Sequence, residues 1–204
     1  MTMSAPFAAP LGLPLGAPLG LALIAGAFLA GAIPFGFLLA RRRGVDIRAH
    51  GSGNIGATNV TRVLGARYGA LVLVLDALKG ALPTATALAA GADPRLVAAT
   101  GGAAILGHCF SPFLRGRGGK GVATALGVFV VIAPATVGVA VAVFAVVLAA
   151  TRVPALGSLA GSAAIAAGLL SRGGGPYAVL ACVTTALLVY THRTNLARLR
   201  DRRR

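Results

Sequence analysis

The chain has no glutamate, and its only acidic side chains are Asp46, Asp76, Asp93 and Asp201. Acid–base chemistry on paired carboxylates therefore has almost no material. There are two cysteines, Cys109 and Cys182, both in or beside apolar runs, which offers no disulfide framework. Cys109 and His108 lack further ligands nearby, so no metal site is expected, and no cofactor. Charged residues are scarce at 11%, yet the net charge is +15 and apolar residues make up 57%, with a mean hydropathy of +0.86. A soluble nucleic-acid binder would carry far fewer apolar residues, so nucleic acid is not an expected partner. The combination fits an all-α polytopic membrane protein with basic loops.

Residues 1–18 read as a Pro/Gly-rich extension. No cation precedes the first apolar run, which argues against a cleaved signal peptide. That run, from about Leu19 to Ala40, is long enough to span a bilayer and is stopped by Arg41, Arg42 and Arg43. Further runs extend over 68–90, 96–108, 122–150, 155–170 and 177–191. The 122–150 run contains Pro134 and is one kinked helix or two short ones. Two helices give seven spans, an outer N-terminus and a cytoplasmic C-terminus. Sixteen of the nineteen cations then lie on the inner side, as the positive-inside rule prefers. The first half would be short for a bilayer. The expected fold is a seven-helix membrane bundle over 19–199, closed by a basic tail at 200–204 that suits an anionic membrane surface.

Two glycine-rich loops interrupt the apolar pattern. The first holds Ser52, Asn54, Thr58, Asn59 and Arg62, side chains suited to phosphate and hydroxyl groups. It contains a literal Gly-x-Gly-x-x-Gly at 51–56, but no strand precedes it and Asp76 lies in an apolar run, so a dinucleotide fold is rejected. The second loop sets Arg115, Arg117 and Lys120 among Gly116, Gly118, Gly119 and Gly121 just before an apolar run. Backbone N–H groups there, with a helix N-terminus and three cations, would cradle a phosphate. A plain cytoplasmic turn is the alternative. It is not a Walker A loop: Leu114 stands at the first glycine and Gly121 at the Ser/Thr position.

Asp76 and Lys79 fall on one face of an apolar helix, either as a functional pair or as a structural ion pair joining helices. Ser158 and Ser162 share a face, a pattern of tight helix packing. His192 and Asn195 lie at the inner boundary, level with both loops. His108 reads as structural, capping a helix end.

These motifs, in order from 52 to 195, resemble the bacterial acyl-phosphate:glycerol-3-phosphate acyltransferases. The likeness is carried by Ser-Gly-Asn-Ile-Gly-Ala-Thr-Asn at 52–59 with Arg62 and by Asp76-x-x-Lys79-Gly80-x-x-Pro83. It continues through Gly107-His108 to Gly118-Gly119-Lys120-Gly121-Val122-Ala123-Thr124, and ends at His192-Arg193-x-Asn195. Arg115-Gly116-Arg117 departs from the family's usual Phe-Lys before the glycine pair. The resemblance implies that a fatty acyl-phosphate and glycerol-3-phosphate give lysophosphatidic acid and inorganic phosphate at the cytoplasmic face of the bacterial inner membrane, the first acylation of phospholipid synthesis. It implies a site of Ser52, Arg62, Lys120, Ser158, His192 and Asn195, with Arg62 and Lys120 on the phosphates and the 118–121 N–H groups as the cradle. His192 is the expected general base, unless the departing phosphate takes the proton. Membrane lipid surrounds the bundle, and docking of a soluble acyl-phosphate synthase on the basic face stays open. An acyl-CoA enzyme would show Asp five residues after a His; Ile55, Phe113 and Ala197 stand there instead. A transporter of a small organic phosphate is the rival reading, though no internal repeat is visible. A non-enzymatic basic anchor leaves both glycine loops unexplained.

Overall fold

Pro34 has no N–H to give a helix and crowds the preceding turn, so the first apolar run cannot stay continuous. In the computed structural model, which describes residues 16–201, α1 (Ala17–Ala32) stops there and α2 (Phe35–Arg42) restarts beyond it. The break frees carbonyls that a buried segment must satisfy. Ser111 Oγ donates to Ala32 O at 2.6 Å, and Lys79 Nζ donates to Ile33 O at 2.8 Å. Residues 17 and 18, assigned on sequence to the extension, open α1; residues 1–15 lie outside the described residues.

The chain continues as α3 (Ala57–Leu64), α4 (Ala66–Ala89), α5 (Pro94–Cys109), a 3₁₀ turn at Pro112–Leu114, α6 (Val122–Ile132), α7 (Pro134–Thr151), α8 (Pro154–Leu170), α9 (Pro176–Thr191) and α10 (Arg193–Asp201). Among the described residues there is no strand. Proline opens α5, α7, α8 and α9, where its missing N–H costs nothing and its fixed φ suits the first turn. The same residue type splits the run from Val122 at Pro134, giving the two helices that the charge distribution favoured. The glycine-rich stretch from Ser52 to Arg62, read on sequence as a loop, contains the start of α3. The tail assigned to 200–204 begins inside α10, and residues 202–204 lie outside the described residues.

Close packing replaces bulk in the interior. Gly31 and Gly107 of the α1–α5 contact, and Gly127 of the α4–α6 contact, leave no room for a Cβ against the facing backbone. Ser162 and Thr185 share a 2.8 Å hydrogen bond between α8 and α9, consistent with the packing role read for that face. The outward surface is apolar: Leu21 is 69% exposed and Val146 68%. Among the described residues four segments are long and apolar enough to cross a membrane, Ala17–Arg42, Ala66–Ala89, Pro94–Leu114 and Pro134–Thr151, and three shorter apolar helices accompany them. At 11 residues, α6 is only about 16 Å long, roughly half a hydrocarbon core.

The buried ion pair belongs to this framework. Asp76 and Lys79, 2% and 6% exposed, meet at 2.8 Å, and Lys79 also holds the broken end of α1. His108 Nδ1 lies 3.7 Å from Asp76 Oδ1 and makes no hydrogen bond among the described residues. The imidazole does not cap a helix, contrary to the sequence reading; it backs onto Gly119, where a Cβ would strike its Nε2.

Candidate active site

Four stretches that are remote in sequence end in one cleft of about 670 Å³. The first is the 51–59 loop, folded around Asn59. This amide is 2% exposed; its Nδ2 donates to the carbonyls of Ile47, His50 and Asn54, and its Oδ1 accepts from Ser52 N at 2.8 Å. Asn59, expected to bind phosphate, has its hydrogen-bonding capacity taken by the loop itself, and it positions Ser52 instead. Asn54 Oδ1 accepts from Gly56 N and closes the turn before α3. Ser52, Asn54, Thr58 and Arg62 line the cleft.

The second stretch is the glycine loop. Gly118 N donates to Cys109 O at 3.1 Å and Gly119 N to His108 O at 3.0 Å, so these two groups terminate α5. They do not face the cleft, and the cradle expected over 118–121 shifts along the chain. The N–H groups of Lys120, Gly121, Val122, Ala123 and Thr124 make no hydrogen bond among the described residues, and Lys120 to Ala123 line the cleft. Gly121, at φ +88, makes the left-handed step that starts α6. Of the three cations expected in the cradle only Lys120 is there. Arg115 is exposed outside the cleft, and Arg117 borders a separate shallow depression with Asp46, Arg48 and Gly118.

The third stretch is the α7–α8 turn, which supplies Ser158 and Arg152. Ser158 Oγ donates to Pro154 O at 2.9 Å, leaving its lone pairs to accept. The fourth is the α9–α10 junction. His192 is 3% exposed, and its Nδ1 lies 2.8 Å from Leu188 O. A carbonyl only accepts, so Nδ1 carries the proton and Nε2 keeps a lone pair. Lys120 Nζ donates to Asn195 Oδ1, and Thr191 Oγ1 donates to Lys120 O at 3.1 Å, tying this junction to the glycine loop. His192, Asn195, Arg198 and Leu199 fall on one face of the chain here, all lining the cleft.

The cleft carries Arg62, Lys120, Arg152 and Arg198 against one carboxylate, Asp76, which Lys79 already engages. Burial, assisted by the Arg198 charge, lowers Lys120 to about 8. Burial also lowers His192, as does the Lys120 charge, against the opposing Leu188 hydrogen bond, so the imidazole is neutral at pH 7. Arg152 and Arg198 were not among the site residues expected from sequence. The three-residue steps 192, 195, 198 were the signal that could have found the second.

Residues 21–202 match a family model described as glycerol-3-phosphate acyltransferase. The chain is 50% identical over 184 residues to the glycerol-3-phosphate acyltransferase of Myxococcus xanthus, covering 89% of this chain and 96% of that protein. It is 48% identical over 183 residues to the Geotalea daltonii protein of the same name, covering 89% and 94%. It is also similar to a crystal structure of PlsY, an integral membrane glycerol 3-phosphate acyltransferase, in its glycerol 3-phosphate form, with 40% identity, a TM-score of 0.87 and coverage of 91% and 94%. The lysophosphatidic acid form of that protein superposes with a TM-score of 0.85, 40% identity and coverage of 91% and 93%. On these matches the chain belongs to the glycerol-3-phosphate acyltransferase family.

Proposed function

We propose that this chain transfers the acyl group of a fatty acyl-phosphate to the 1-hydroxyl of glycerol-3-phosphate at the cytoplasmic face of the bacterial inner membrane. The observation that carries this is the cleft's content: cations, bare N–H groups and the neutral imidazole of His192 beside that of His108, with its only carboxylate engaged by Lys79. Two phosphates must lie side by side there. Like unit charges about 6 Å apart repel by roughly 3 kcal/mol at an effective dielectric of 20, and the cations offset this. Lys120 and the N–H groups at the start of α6 hold the acyl-phosphate, and Arg62 holds the acceptor with Ser52, Ser158 and Asn195 on its hydroxyls. The hydroxyl attacks the acyl carbon, the carbon–oxygen bond to phosphate breaks, and phosphate leaves with the electron pair. His192 Nε2 takes the hydroxyl proton and returns it to the departing phosphate. Seven spans with an outer N-terminus place the basic loops on the inner side and leave the fatty tail in lipid. The basic face would also suit a soluble enzyme that delivers acyl-phosphate.

Release of inorganic phosphate from palmitoyl-phosphate when glycerol-3-phosphate is added to purified protein tests this reading. Glycerol-3-phosphate flux into proteoliposomes without any acyl donor would favour the transporter instead. His192→Gln is expected to lower kcat about a hundredfold with little change in KM; near-full turnover would assign the proton to the departing phosphate. Lys120 must be charged to hold an anion, and its protonated fraction falls as pH rises through about 8. Above that pH, kcat/KM is expected to fall about tenfold per unit, a limb that Lys120→Arg removes because guanidinium stays charged.

A further inference from the structure

Arg152 ends α7 with φ 56 and ψ 20, in the left-handed region where a Cβ is strained. Its backbone task is a helix C-cap, with its N–H donating to Leu148 O at 2.8 Å. Glycine would perform that task without strain, so the cap does not explain an arginine there. The side chain is exposed and lines the cleft near Ser158, and its guanidinium makes no hydrogen bond or ion pair among the described residues. A strained backbone that keeps a cation beside an anion-seeking cleft points to work done by the side chain.

We propose that Arg152 is a substrate ligand: its guanidinium joins Arg62 on the phosphate of the acyl acceptor and strengthens the preference for phosphorylated acceptors. This rests on the acyl-transfer reading. The donor's phosphate is joined to the reacting carbonyl and falls to half-buried Lys120 and the α6 donors. The acceptor's phosphate lies at the far end of a three-carbon chain from the attacking hydroxyl and arrives from water. An exposed guanidinium at the cleft edge matches that position, with two parallel N–H groups for two phosphate oxygens.

The test is Arg152→Gly in the full-length purified protein, with each substrate varied while the other is saturating. The melting temperature is expected to hold or rise, since strain is relieved. KM for glycerol-3-phosphate is expected to rise about tenfold, the loss of one charge-assisted contact, with kcat and KM for palmitoyl-phosphate unchanged. Arg152→Lys should recover part of the loss, and discrimination against unphosphorylated glycerol should narrow. Arg115 shares the left-handed backbone, at φ 55, but lies outside the cleft; Arg115→Gly should leave both KM values unchanged. A wild-type KM for glycerol-3-phosphate in Arg152→Gly overturns the inference, and so does a rise confined to palmitoyl-phosphate. A wild-type protein that releases no phosphate overturns the acyl-transfer reading and this inference with it.

Discussion

Lys120→Ala is expected to lower kcat/KM by about two to three orders of magnitude, the range measured when one preorganised donor to a developing charge is removed. Lys120 is half-buried, hydrogen-bonded to Asn195, and held from behind by Thr191 on its carbonyl. Its ammonium is therefore placed before substrate arrives, and the proposed reaction needs no reorganisation there as charge shifts onto the leaving phosphate. Neither exposed Arg62 nor exposed Arg198 occupies the start of α6, so neither can substitute for it. Initial rates of phosphate release, with each substrate varied, measure the loss. Activity above a tenth of wild type would mean that the bare N–H groups stabilise the leaving phosphate without an ammonium beside them.

Asp76→Ala should destabilise the protein rather than impair the site directly. Removing one member of a buried ion pair leaves the other charge uncompensated, at a cost of about 3–5 kcal/mol. For a chain of this size that corresponds to roughly 10 °C in melting temperature. The loss spreads because Lys79 also bonds the Ile33 carbonyl where α1 breaks. Thermal unfolding in detergent gives the answer, and an unchanged melting point would show that the pair contributes nothing to the fold.

Much of this architecture was legible in the chain. Prolines at 94, 134, 154 and 176 punctuate the apolar runs, and each opens a helix. Lys120, His192, Ser52 and Ser158, named as site residues through the family resemblance, line one cleft. What stayed hidden depended on backbone hydrogen bonding. Gly118 and Gly119 look like phosphate donors in sequence, but the end of α5 needs partners for its carbonyls and takes their N–H groups. Asn59 looks like a ligand, but a loop with few other internal bonds closes around its amide. Arg152 was invisible because a turn residue declares its φ only in three dimensions. Pro34 was passed over because hydropathy does not drop at a break whose carbonyls are met by side chains from α4 and the α5–α6 loop.

The near absence of carboxylate from the cleft has a consequence for the resting enzyme. Four like charges gathered in one recess draw counterions from the surrounding medium, so the site is never electrically bare. Each turnover then begins with an exchange, as an ambient anion departs and a substrate takes its place. In the proposed reaction, ambient chloride and orthophosphate become part of the apparent affinity, and the inorganic product competes for the seat it has just vacated.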